Sequence, residues 1–179
     1  MEFVLQVCDK YHEVLDMWFY RLNKFWEIDS TKVNVICCKN RYTVPSNNRF
    51  PANVIHLGED FGWSANMLKV FPQLPECFLF TLEDFFIDRT PDMESLEKLW
   101  KKFLQEETIA LFSLKTNKVG KKLKRGALKM TEDGFVIHQS KSLYCVHLQL
   151  GFWRKRLMAK VLRPVSYIYG MVKGILKEY

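Results

Sequence analysis

Hydrophobic positions in this chain fall into short unbroken runs, separated by stretches in which they recur at helical spacing. Residues 3–8, 33–38 and 53–57 are runs of strand length rich in Val, Ile and Cys, which predicts strands covered on both faces. Between the first two, Val14, Leu15, Trp18, Phe19, Leu22, Phe25 and Trp26 share one stripe, which predicts an amphipathic helix with a broad buried face. Ser64 stands where it can cap a helix that carries Met67, Leu68 and Phe71 and stops at Pro72. A further helix is expected over residues 92–106, with Met93, Leu96, Leu99, Trp100 and Phe103 on one side and Pro91 just ahead of it. Strands are expected at 108–114, 134–138 and 143–148, with a helix starting near Gln149. Strands alternating with helices through the first two-thirds predict a single α/β domain over residues 1–179, with a mixed, largely parallel sheet and helices on both faces.

The longest aromatic run, within residues 76–87, contains no Gly or Pro and is interrupted by two adjacent carboxylates, Glu83 and Asp84. Ligands of open α/β sheets gather outside the carboxyl ends of the strands. Acids placed there either hold a divalent metal and, through it, a diphosphate, or simply form a solvated turn.

Composition narrows the classes. A chain of 179 residues fits one domain. No apolar run reaches the roughly 20 residues of a membrane span, and no secretory signal pattern opens the sequence, so a cytoplasmic protein is expected. Five cysteines without CxxC spacing suggest buried free thiols. The net charge of +7 is one-sided: residues 115–129 hold seven basic side chains and no acid, and residues 154–177 hold seven more. Such a surface suits nucleic acid, anionic lipid or a phosphorylated substrate, and the first cluster is equally a solvated loop. Nucleic acid is not the expected partner, because no recognition motif accompanies the charge. Neither GxGxxG nor GxxxxGK[ST] occurs, and HExxH and GxSxG are absent.

Four segments in order carry a resemblance: Val7-Cys8-Asp9-Lys10-Tyr11; Gly62-Trp63-Ser64 opening a helix; Leu82-Glu83-Asp84-Phe85-Phe86; and Leu148-Gln149-Leu150-Gly151-Phe152-Trp153-Arg154-Lys155. Together they resemble the bacterial surface-polysaccharide glycosyltransferases of GT-A type, which act in capsule, lipopolysaccharide or O-antigen assembly. The resemblance implies a GT-A-like, Rossmann-like domain that moves a sugar from a nucleotide-sugar donor to a glycan or lipid-linked acceptor. It implies Mn²⁺ or Mg²⁺ at the acidic strand end, with Asp84 the better ligand and Glu83 positioning ribose or a metal-bound water. It places Asp9 and Lys10 near base, ribose and phosphate, and Trp63 either beneath the nucleotide or in the core. Gln149 and Trp153 fall on the acceptor side, with core packing the competing role for Trp153.

The family pattern continues with Pro-Trp and acidic residues that would supply the base. Here Val161-Leu162-Arg163-Pro164 runs on without them, and Glu178 is the only acid after Asp133. Either a segment near 161–165 is missing, or the base comes from elsewhere, or the chain is a non-catalytic nucleotide-sugar or polyanion-binding module. At the far end Ile168, Met171, Val172, Ile175, Leu176 and Tyr179 share one stripe, which predicts an amphipathic helix over 167–179. That helix either closes the core or, with Arg154, Lys155, Arg156, Lys160 and Arg163, rests on an anionic membrane surface.

Overall fold

Parallel pairing of the apolar runs organises the molecule. The computed structural model describes residues 1–114, 128–130, 136–138 and 150–162. In chain order the elements are β1 (Glu2–Gln6), α1 (Leu15–Phe25), β2 (Lys32–Cys37), β3 (Ala52–His56), α2 (Trp63–Val70), β4 (Cys77–Leu82), α3 (Met93–Gln105), β5 (Leu111–Ser113), β6 (Leu128–Met130), β7 (Val136–His138), β8 (Gly151–Arg154) and α4 (Lys155–Val161). Six strands form one sheet in the order β3-β2-β1-β4-β8-β5, and β6 pairs with β7 in a separate two-stranded ribbon. β1, β2, β3 and β4 are parallel, whereas β8 runs antiparallel to both β4 and β5. The sheet is therefore mixed and largely parallel, as the alternation of elements predicts.

Strand alternation divides the core into two layers. Phe3, Leu5, Val33, Val35, Leu79 and Phe152 face α1 and α3, which contribute Trp18, Phe19, Leu22 and Phe103. Val4, Ile36, Phe78, Phe80 and Trp153 face α2 and α4, which contribute Met67, Val70 and Met158. Burial on both faces explains why these strands read as continuous apolar runs rather than as alternating ones. Among the described residues, no helix is long and apolar enough to cross a membrane.

Two local expectations are corrected. The helix expected to start near Gln149 starts at Lys155, and Gly151–Arg154 is a strand. Phe152 and Trp153 enter opposite layers and are both fully buried, an alternation that a strand provides and a helix does not. Gly151 has a steric reason there: a Cβ would lie 2.8 Å from the carbonyl oxygen of Phe112 on β5. Ser64 is not the cap of α2 but lies buried inside its first turn. The cap is Gly62, whose φ of 84° is a left-handed conformation open to glycine. Asp60 Oδ1 accepts the Gly62 N–H at 2.9 Å and Asn66 Oδ1 accepts the Phe61 N–H at 3.0 Å, which fixes the approach to the helix.

The proposed strand at 143–148, Gln149, the helix at 167–179 and most of the basic stretch 115–129 lie outside the described residues.

Candidate functional site

The chain leaves β1 toward β2 and β3 on one side, then returns to place β4 on the other side of β1. β1 and β4 therefore flank the point where the winding reverses, and a crevice outside their carboxyl ends is where an open α/β sheet receives a ligand. Register fixes which residues border it. Gln6 lies opposite Leu82 on β4 and Ile36 on β2, so the residues that follow these three positions gather at the carboxyl end of the sheet: Cys8, Asp9 and Lys10; Glu83 and Asp84; Cys38, Lys39 and Asn40.

A tight turn separates the roles of the two acids. The Phe85 N–H donates to the Leu82 carbonyl at 3.2 Å, which makes Glu83 and Asp84 the central pair of a four-residue turn. Trp18 Nε1 on α1 donates to the Phe85 carbonyl at 3.1 Å and holds the exit of that turn. Glu83 folds inward and is 6% exposed, whereas Asp84 is exposed. Burial pushes the Glu83 carboxyl above its usual range; the backbone N–H groups of Glu83 and Cys8 pull it back, and neighbouring Asp84 adds to the rise. Its carboxylate thus meets the backbone just past the end of β1 and ties the turn to that strand. Asp84, next to it in the turn, is open to solvent.

Asp9 is occupied differently from the expectation. Its Oδ1 accepts the N–H groups of Lys39 and Asn40, each at 3.0 Å, and its Oδ2 accepts Lys39 N–H at 3.2 Å. This carboxylate shapes the start of the loop after β2. Lys10 and Lys39 are exposed beside the crevice and supply positive charge there. Lys39 and its loop were not singled out from the sequence; the order β2-β1-β4 is what brings them to the site.

Trp63 is half-buried at the start of α2, edge-on to Phe80 and Trp153 with centroids 6.2 and 5.9 Å away. It extends the α2 layer of the core toward the strand ends. Trp153 is 0% exposed and stacked on Phe80 at 4.3 Å. Because it pairs with Phe78, in the first half of β4, it sits away from the carboxyl end. Core packing is its role, and it has no surface to offer an acceptor.

The basic cluster after β8 also differs from the membrane-facing expectation. Arg154 is 5% exposed, with its guanidinium donating to the carbonyls of Phe103 at 2.6 Å and Ile109 at 3.4 Å. Lys155 donates to the Leu74 carbonyl at 2.6 Å, and Arg156 forms an ion pair with Glu107 at 2.9 Å. Three of the five basic residues expected on a membrane are thus held by the protein's own acceptors.

For a divalent ion, Asp84 is the exposed carboxylate at the end of β4, and among the described residues no three or more His, Cys, Asp or Glu side chains cluster. That donor set suits a hard cation that keeps its waters and takes its remaining ligands from substrate phosphates, the habit of Mg²⁺. It does not suit a metal caged by protein alone. A groove of about 620 Å³ lies between α1 and residues 45–47, lined by Asp16, Tyr20, Asn23 and Lys24. None of the strand-end residues borders it.

No family model and no curated protein matches the chain. Among solved structures, it is similar to S. aureus TarS 1-349, with 14% identity and a TM-score of 0.48 over 88% of this chain and 48% of that one. It is also similar to HddC from Yersinia pseudotuberculosis, with 11% identity and a TM-score of 0.43 over 93% of this chain and 83% of that one. The chain spans about half the length of the TarS structure. Both are distant likenesses of general outline.

Proposed function

We propose that the chain is a glycosyltransferase that binds the diphosphate of a nucleotide-sugar donor in the crevice between β1 and β4 and transfers the sugar to a glycan or lipid-linked acceptor. The observation that carries this reading is the placement of Asp84: an exposed carboxylate on a braced turn, at the point where the sheet reverses its winding. Four sequence motifs in register support it, and three of them converge on this end of the sheet.

Bound there, Mg²⁺ or Mn²⁺ would supply Lewis-acid neutralisation of the leaving diphosphate. The chain's own residues do the rest. Asp84 contributes the carboxylate that fixes the ion. Glu83 braces the turn from within and does not reach outward. Asp9 holds the β2 loop so that Lys39, with Lys10, stands beside the phosphates, and Trp63 backs the α2 side of the crevice. Gln149 remains an acceptor-side proposal from the resemblance alone.

A second reading is favoured by one feature of the sequence. Glu178 is the only acid after Asp133, whereas transfer calls for a carboxylate near the acceptor hydroxyl to take its proton. On that reading the chain binds nucleotide sugar without transferring it.

The test is a thermal-shift panel of nucleoside diphosphates and their sugars with and without Mn²⁺, followed by donor hydrolysis. A ligand bound only by the native state at 100 times its Kd stabilises it by about 2.7 kcal/mol. Metal-dependent shifts with turnover support transfer, and shifts without turnover support the binding module. No shift with any nucleotide removes both.

A further inference from the structure

The strand-end register also places two thiols side by side. Gln6 of β1 lies opposite Ile36 of β2, and two residues further on stand Cys8 and Cys38. The ladder continues past the last paired residues: the Val7 N–H donates to the Ile36 carbonyl at 3.0 Å, and Cys8 keeps an extended backbone with φ −82° and ψ 135°. On its other side, β2 stays extended through Cys38, because Leu57 and Gly58 donate to the carbonyls of Cys37 and Cys38, each at 3.0 Å.

Facing follows from alternation. Val7 and Cys37 belong to the α1 and α3 layer, so the next residue on each strand turns toward α2. Asn66 on α2 donates its Nδ2 to Cys38 Sγ at 3.2 Å, in agreement. Neighbouring strands run about 4.8 Å apart, within the roughly 4.4–6.8 Å Cα separation that a disulfide spans. Asp9 already clamps the two ends together through the N–H groups of Lys39 and Asn40. Cys8 is exposed and Cys38 is buried, so one thiol meets solutes and the other is sheltered beside it.

We propose that Cys8 and Cys38 form a reversible intramolecular disulfide across the ends of β1 and β2 when the protein meets a low-molecular-weight disulfide. The Cys8 thiolate attacks one sulfur of glutathione disulfide, forms a mixed disulfide and releases one glutathione thiolate. The Cys38 thiolate then attacks the Cys8 sulfur and expels the second glutathione thiolate. Two protein thiols are oxidised, one glutathione disulfide is reduced, and the two thiol protons end on the two glutathione thiols. Burial, with Asp60 and Asp9 nearby, holds the Cys38 thiol up to about 12. The closing step is therefore slow at neutral pH and accelerates as pH rises toward 9, because the thiolate is the attacking species. Cys37 points into the opposite layer, and Cys77 begins β4 at the other end of the sheet; neither competes.

The test incubates the full chain with glutathione disulfide for hours at pH 7.5 and at pH 9, then counts free thiols and maps cross-linked peptides by mass spectrometry. The expected result is loss of two of the five thiols, a peptide pair joining Cys8 to Cys38, a protein that stays monomeric, and full recovery in dithiothreitol. Cys8→Ser, at an exposed position, retains a reduced Cys38, and Asp9→Ala slows closure by releasing the clamp. The proposal is overturned if Cys8 persists as the glutathione adduct, or if it pairs with another cysteine or with a second molecule. Thiol counts and masses do not depend on nucleotide binding, so this result stands apart from the proposed function.

Discussion

Removing the Arg154 guanidinium is expected to cost more than any surface change in this protein. The side chain is 5% exposed, and its Nη2 reaches the Phe103 carbonyl at 2.6 Å, close to the end of α3. Its Nε meets the Ile109 carbonyl at 3.4 Å, its Nη1 meets Cys77 Sγ at 3.3 Å, and its Cζ lies 4.9 Å from the Phe103 ring centroid. No carboxylate is among these partners. The charge rests on carbonyls, two of them, those of Phe103 and of Leu104 at 3.5 Å, in the last turn of α3, where the helix dipole is negative. Arg154→Met keeps the apolar stem and deletes every one of these contacts. A hydrogen bond from a charged group contributes about 1.5–3 kcal/mol, and a buried carbonyl left without a partner costs about 1–3 kcal/mol. Relief from burying the guanidinium offsets part of that loss. The net expectation is about 2–4 kcal/mol of destabilisation, read as a lower urea midpoint by tryptophan fluorescence with an unchanged m-value. A change below about 1 kcal/mol would mean instead that desolvation of the charge cancels its contacts.

Other expectations follow from single observations. Gly151→Ala places a Cβ 2.8 Å from the Phe112 carbonyl oxygen and should lower stability by about 1–3 kcal/mol, as overpacking does; an unchanged urea midpoint contradicts the close approach of β8 and β5. Burial holds the Cys37 thiol up to about 11 and the Cys38 thiol up to about 12, both from 9.0. Between these values and 9.0 the native state keeps protons that the unfolded state has lost, so stability falls as pH rises above 9. Cys38→Ala should flatten that fall in equilibrium unfolding measured at pH 8 to 10.5, and a slope equal to that of the unmodified protein would count against it. Trp153→Ala should cost about 3–5 kcal/mol, as large core deletions do, without a selective loss of acceptor use by whatever folded fraction remains; selective loss at intact stability would return Trp153 to the acceptor side.

The sheet was legible because its strands are covered on both sides. Runs such as Val33-Asn34-Val35-Ile36-Cys37-Cys38 need apolar residues at successive positions, and that density is visible without a partner strand. The α1 and α3 stripes were equally plain, and Asp92 caps α3 by accepting the Ser95 N–H at 3.0 Å. β8 was misread because Phe152 and Trp153 precede a basic amphipathic stretch, and two adjacent aromatics serve a helix as well as a strand; only pairing with β4 and β5 decides between them. The acid pair was legible as a strand-end feature, but not the division between its members. Which carboxylate turns inward depends on the Leu82 to Phe85 turn and on the reach of Glu83 to the end of β1. Asp9 shows the same limit, since the N–H groups that donate to it come from Lys39 and Asn40, some thirty residues away in the chain.

Calorimetric titration of a nucleoside diphosphate in the presence and absence of Mn²⁺, with the unmodified chain compared against Asp84→Ala, decides whether Asp84 holds a metal-bound diphosphate. Asp84 is exposed on a turn, so its replacement should change stability by no more than about 0.5 kcal/mol and leave a folded protein to measure. Mn²⁺-dependent binding to the unmodified chain is expected, and it should disappear in Asp84→Ala while the unfolding midpoint is preserved. Undiminished Mn²⁺-dependent binding in Asp84→Ala would contradict the assignment of the crevice between β1 and β4 as the diphosphate site.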